Sequence, residues 1–297
     1  ELKLLYFISS QDLNLFSTIY LVKKNKAFTT QQFGNNKMQL AIGTGGLKPS
    51  FDQEYWKIFL YAIENGNYIH TALNYNNVDQ YFIKANSENI KISKLIIKIE
   101  INRNPIKKIL NIPNQINLIL NRFKIDFIDT IQICNNPSAN KLNMIILKKI
   151  LNSYRKKGII KNLFLESFEP FSDNLNKLID DNFFEGYIFK LNCLQRGTSK
   201  KFFTNIINSK KKLISISPLV GGNFINVMNS FDNDLKNNLD QVMKENYLKN
   251  YNSLNIAFLK SIDNVKCGIF GTKRMDRLLS IKSEINNIKP LKNRQIQ

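Results

Sequence analysis

From residue 38 onward, short apolar runs alternate with longer stretches in which apolar residues recur every three or four positions. The runs fall at 39–43, 68–71, 95–99, 127–133, 162–165, 187–191, 213–217 and 265–270. Their length and their content of Ile, Leu, Phe and Tyr fit buried strands. The periodic stretches include 53–64, where Tyr55, Ile58, Phe59 and Ala62 share one face, and 140–157, 173–181, 233–245 and 273–285. These have the spacing of amphipathic helices. Strands that alternate with helices pair in parallel, because each crossover needs a covering element. Eight such units in about 250 residues fit a closed barrel. The expectation is α/β class: a single (β/α)8 TIM barrel over residues 38–297, with residues 1–37 as an N-terminal extension of unassigned role. A doubly wound open sheet is the alternative, weakened because no Gly-x-Gly-x-x-Gly turn follows the first strand.

Composition narrows the function class. The chain has 297 residues, 43% of them hydrophobic, enough for the core of one barrel. No run of 18 apolar residues offers a membrane span, so no membrane partner is expected. Cys134, Cys193 and Cys267 are far apart and lack metal-ligand spacing, which predicts a reducing, cytoplasmic setting and no metal. The formal charge of +20 raises the question of a phosphate-bearing partner. Its lysines, however, are scattered as Lys107-Lys108, Lys148-Lys149, Lys200-Lys201 and Lys210-Lys211-Lys212 over predicted outer helices or beside them. A solvated surface explains this basic protein better than nucleic-acid binding.

Candidate chemistry concentrates at predicted strand ends. Ile42-Gly43-Thr44-Gly45-Gly46-Leu47 closes the first strand, and Gly66-Asn67-Tyr68-Ile69-His70-Thr71-Ala72-Leu73-Asn74-Tyr75 spans the second. Lys98 ends the third, and the fourth lies within Ile125-Asp126-Phe127-Ile128-Asp129-Thr130-Ile131-Gln132-Ile133-Cys134. Then come Gly158-Ile159-Ile160-Lys161, Leu191-Asn192-Cys193-Leu194-Gln195-Arg196, Ser217-Pro218-Leu219-Val220-Gly221-Gly222, and Ile269-Phe270-Gly271-Thr272 with Arg277. In this order and register, the motifs resemble those of the aldo-keto reductases over about residues 38–286.

The resemblance implies a catalytic tetrad of Asp, Tyr, Lys and His. Tyr75 and Lys98 match it, whereas His70 stands at the Asp position and Cys134 at the His position. Tyr75 would be the proton donor and Lys98 the group that tunes it. Without the Asp, Lys98 is expected to lack its counter-charge and to be pushed toward neutrality by burial. His70 is expected as a neutral ring that could accept a hydrogen bond from Lys98. Cys134 is too short and weak a donor to replace imidazole. The resemblance also implies NADP as cofactor, if one is bound. Glu166, Ser167 and Ile188 fall where the family holds the nicotinamide carboxamide. Ser217, Leu219 and Gly221 on one loop, with Gly271, Thr272, Lys273, Arg274 and Arg277 on the next, would serve the phosphate end. The function implied is NADP-dependent reduction of a small carbonyl substrate, a sugar-like one included, weakened by the altered tetrad. A catalytically inactive pseudo-reductase, kept as a binding or structural subunit, is the alternative.

Overall fold

A computed structural model of the chain describes residues 38–101, 105–134, 141–166, 182–194, 200–209, 211–222, 224–229 and 233–291. Eight parallel strands close into one barrel in chain order. They are β1 (Gln39–Gly43), β2 (Tyr68–Ala72), β3 (Leu95–Glu100), β4 (Ile128–Cys134), β5 (Ile160–Glu166), β6 (Gly186–Lys190), β7 (Lys212–Ile216) and β8 (Val265–Phe270). β1 pairs with β8 as well as with β2, so the sheet has no free edge. Each predicted strand lies within two residues of an observed one. The predicted helix 173–181, like residues 1–37, lies outside the described residues.

The described helices cover the barrel: α1 (Gln53–Glu64), α2 (Val78–Ser87), α3 (Pro105–Leu110), α4 (Ile112–Phe123), α5 (Lys141–Lys156), α6 (Lys200–Asn208), α7 (Phe224–Asn229), α8 (Asn233–Glu245), α9 (Tyr251–Lys260) and α10 (Met275–Asn287). The start of α1 follows from local chemistry. The Asp52 carboxylate accepts from the backbone N–H groups of Glu54 and Tyr55 at 2.9 and 3.2 Å, which satisfies two donors of the first turn. Its apolar face buries Tyr55, Trp56, Ile58, Phe59 and Ala62, and the Trp56 ring stacks on Phe59 at 5.8 Å.

Strand pleating divides the core in two. One set of positions packs outward under the helices, and the alternate set fills the barrel with Ala41, Tyr68, Ile96, Phe164, Ile188, Ile214, Cys267 and Ile269. Moving along the inward positions toward the strand C-termini, this apolar layer gives way to polar side chains. Tyr68 is followed by His70, Ile96 by Lys98 and Glu100, and Phe164 by Glu166. The barrel therefore has a dry floor and a charged mouth, the end at which barrels of this class carry their sites.

Candidate active site at the barrel mouth

The turn after β2 presents Tyr75. Its backbone N–H donates to Ala72 O at 3.1 Å. The loop after β1 is tied to the same place: Thr44 N and Thr44 Oγ1 both donate to His70 O, at 3.0 and 3.1 Å, and Thr44 Oγ1 lies 2.8 Å from Thr71 Oγ1. Gly45 makes room for the phenol, since a side chain there would begin 3.3 Å from Tyr75 Cζ. The Tyr75 and His70 rings meet edge-on with centroids 6.2 Å apart.

Charge in the mouth is arranged differently from the sequence expectation. Lys98 is not left without a counter-charge, because its Nζ pairs with Glu100 Oε1 at 2.8 Å. The hydrogen bond and charge of Glu100, with Glu166 nearby, outweigh burial and hold the Lys98 ammonium above its ordinary range. The predicted drift toward neutrality is thereby overturned. Burial raises the Tyr75 hydroxyl pKa, and the adjacent Lys98 charge pulls it the other way. Tyr75 is a protonated phenol at neutral pH.

His70 is neutral, as expected, but its partner is not Lys98. Burial drives its pKa down to about 4, against a smaller opposing effect from Gln132. The ring Nε2 lies 2.8 Å from Gln132 Oε1, which can only accept, so the proton of the neutral ring belongs on Nε2. Gln132 Nε2 then donates to Glu166 Oε2 in a short hydrogen bond. The result is a directed chain from β2 through β4 to β5: His70 to Gln132 to Glu166. Cys134 is fully buried beside Glu166, its register partner on β5.

Burial also raises the pKa of Glu166, against the pull of Lys98 and the donors Gln132 and Cys134. Glu166 Oε1 is buried with no hydrogen-bond partner among the described residues. Ile188 stands opposite Glu166 on β6 and brings only hydrocarbon. Ser167, Gln195 and Arg196 lie outside the described residues.

On the other side of the mouth, the loop after β7 turns sharply through left-handed backbone at Ser217, Val220, Gly221 and Gly222. It is closed by Val220 N to Ser217 O at 3.0 Å and Gly222 N to Leu219 O at 2.9 Å. Asn192 Nδ2 donates to Ser217 O at 3.1 Å, fixing the loop to the end of β6. After β8, Gly271 and Thr272 lead into α10, where Thr272 Oγ1 accepts from Arg274 N at 3.2 Å. The Arg274 guanidinium is engaged by the exposed Asp276 carboxylate, whereas Lys273 and Arg277 are exposed cations at the helix start. A side chain at Gly46 would begin 3.7 Å from Lys273 Cε, so the loops after β1 and β8 adjoin.

Two residues of this site were not picked out from the sequence. Glu100 follows Lys98 by two positions and so shares its face of β3. Gln132 belongs to the inward set Thr130, Gln132 and Cys134, which alternates along β4 with Asp129, Ile131 and Ile133.

No protein-family model and no curated protein matches the sequence. Solved structures do match, at low identity. A thermostable aldo-keto reductase complexed with the inhibitor epalrestat superposes with a TM-score of 0.64 at 18% identity, over 86% of this chain and 92% of that one. An aldo-keto reductase complexed with NADPH gives 0.65 at 16%, over 87% and 82%. The holo form of an aldo-keto reductase from Bacillus halodurans gives 0.65 at 16%, over 90% and 93%. The fold is that of the aldo-keto reductases. In this aldo-keto reductase fold, Tyr75 lies on the turn after β2 and Lys98 on β3, with His70 midway along β2, Gln132 and Cys134 in the last three residues of β4, and Glu166 at the end of β5. Among the described residues no helix is long and apolar enough to cross a membrane, and no group of His, Cys, Asp or Glu could hold a metal ion.

Proposed function

We propose that the chain is an NADP(H)-dependent oxidoreductase of the aldo-keto reductase family that reduces a small carbonyl compound, with turnover slowed by its altered tetrad. The observation that carries this reading is placement: Tyr75 sits on the turn after β2 and Lys98 on the adjacent β3, in register with Ala72 at the end of β2. Two further features support a dinucleotide. Lys273 and Arg277 are exposed cations at the start of α10, and Glu166 Oε1 is a buried polar atom with no partner among the described residues, which supports a polar ligand group beside it. Three free cysteines support a cytoplasmic setting.

When bound, the nicotinamide supplies a hydride to the carbonyl carbon. Tyr75 Oη gives its proton to the carbonyl oxygen as the charge develops there and is later reprotonated from solvent. Lys98 remains an ammonium because Glu100 holds it so, and it stabilises the phenolate left behind. No imidazole orients the carbonyl, since Cys134 is buried and short. That loss supports slow rather than full activity.

The test is a fluorescence titration with NADPH and NADH, followed by NADPH oxidation with a panel of small aldehydes. Tyr75→Phe is expected to lower aldehyde reduction about 10²–10⁴-fold while NADPH still binds. A native protein that binds NADPH tightly yet reduces no aldehyde would favour the pseudo-reductase, which the Cys134 and Ile188 positions already support.

A further inference from the structure

Glu166 is the most buried acid among the described residues. It is 1% exposed and ends β5 among groups that fix its hydrogen bonding. His70 donates from Nε2, so Gln132 must accept with Oε1 and can offer Glu166 only an N–H. Oε2 is therefore an acceptor in either protonation state. A proton on the carboxyl has one place left, Oε1, which has no partner among the described residues. Charge balance points the same way. Lys98 is shared with Glu100, so its pull on a second, buried carboxylate is smaller than the desolvation that opposes that charge. The other described groups acting on Glu166 are the Cys134 thiol, a weak donor, and the protonated Tyr75 phenol. The register neighbour on β6, Ile188, carries no charge.

We propose that Glu166 is a neutral carboxylic acid that presents its Oε1 proton to a carbonyl oxygen entering the mouth. This goes beyond the carboxylate expected at that position, which would repel such an oxygen. It rests on the reading of the mouth as a dinucleotide-dependent carbonyl site. The acceptor is a neutral carbonyl oxygen, supplied either by the nicotinamide carboxamide or by the substrate.

The protonation state is read without turnover. Infrared spectra at neutral pH should contain a buried carboxylic-acid band that Glu166→Gln removes. His70 is the only histidine, so its imidazole nitrogen signal reports on this chain alone. That signal should step as Glu166 ionises above the ordinary carboxylate range, and Glu166→Gln should abolish the step. Binding identifies the acceptor. NADPH affinity should fall about threefold to tenfold, the size of one hydrogen bond, above that pH or in Glu166→Ala. Glu166→Gln, whose amide still donates, should keep the neutral-pH affinity and lose the pH step. Adenosine 2′,5′-bisphosphate, which lacks any carboxamide, should be indifferent to both variants. A step that emerges only when an aldehyde is added to the NADPH complex assigns the acceptor to the substrate. An absent infrared band, ionisation in the ordinary carboxylate range, or an NADPH pH step that survives Glu166→Gln overturns the inference. NADPH binding with no pH step, with or without aldehyde, removes this inference alone. Failure of both nucleotides to bind removes the dinucleotide reading and, with it, the acceptor named here.

Discussion

Lys98 Nζ and Glu100 Oε1 meet at 2.8 Å from two positions on the same face of β3. The counter-ion of the site lysine is thus carried on its own strand, and the histidine on β2 is left free to bond Gln132 instead. In the resemblance-based reading, His70 is a missing charge. In the folded barrel that charge has moved to Glu100.

Glu100→Gln should therefore disturb Lys98 more than any change at position 70. Loss of the Glu100 hydrogen bond and charge removes what raises the Lys98 pKa, while its desolvation remains. The alkaline limb of kcat/KM for aldehyde reduction should move down by about one pH unit or more, the usual effect of removing a close opposite charge. A limb that does not move would show that Glu100 is not the effective counter-ion.

His70 makes stability depend on pH in a window set by its own shift. Its pKa is about 4 in the folded protein and 6.5 when exposed. Between those values the unfolded chain binds more protons than the folded one, so stability rises with pH across the window and is lost as pH falls through it. The full difference is about 3 kcal/mol. Other acids contribute slopes of their own, and Glu166, with a raised pKa, has the opposite sign: its contribution is present at low pH and declines as pH rises through its folded value. The comparison that isolates His70 is urea denaturation of the native protein and of His70→Gln across this range. The variant should have the shallower slope between about pH 4 and 6.5.

The barrel itself was legible because apolar runs and amphipathic stretches alternate in the chain, and parallel pairing follows from that alternation. Its site was legible only where one strand carries both partners. Lys98 and Glu100 could have been paired by their spacing, and the stripe of Thr130, Gln132 and Cys134 could have marked Gln132 as inward-facing. The hydrogen bond from His70 to Gln132 could not, because β3 lies between their strands. It depends on barrel curvature bringing the inner faces of β2 and β4 together, which no local pattern encodes. The residues that the resemblance assigns to a phosphate end stand close together in the chain, but the pairing of Arg274 with Asp276 emerged only from the folded start of α10.

Gly186 should be among the least tolerant positions of the barrel. It opens β6 opposite Lys212 of β7, and a Cβ there would sit 1.9 Å from Lys212 O and 2.6 Å from Phe164 Cε1. The first atom is backbone in a ladder and the second belongs to a buried ring, so neither can yield cheaply. Gly186→Ala should cost about 3 kcal/mol or more, read as a thermal midpoint lowered by several degrees or as loss of folded protein. A variant with the native midpoint would contradict the β6–β7 register.

Restoring the tetrad separates the structural reading from the resemblance alone. By resemblance, His70→Asp and Cys134→His should together exceed the sum of their separate effects on NADPH-dependent aldehyde reduction, because one supplies a charge to Lys98 and the other a carbonyl donor. The structure predicts otherwise. Lys98 already has Glu100, so a carboxylate at position 70 adds a buried anion with no new counter-charge. It would also turn an acceptor toward Gln132 Oε1, forcing the amide to rotate and break its bond to Glu166. His70→Asp should therefore leave activity unchanged or lower it. Cys134→His should supply the missing donor, provided the folded fraction is checked, because position 134 is fully buried. The double variant should be no faster than Cys134→His. Adding Glu100→Gln to the double should recover the benefit of His70→Asp, since Lys98 would then have the introduced carboxylate as its partner. Steady-state rates for the single, double and triple variants decide between the two readings. A double variant well above the sum of its singles would mean that Glu100 does not satisfy Lys98 in the working site.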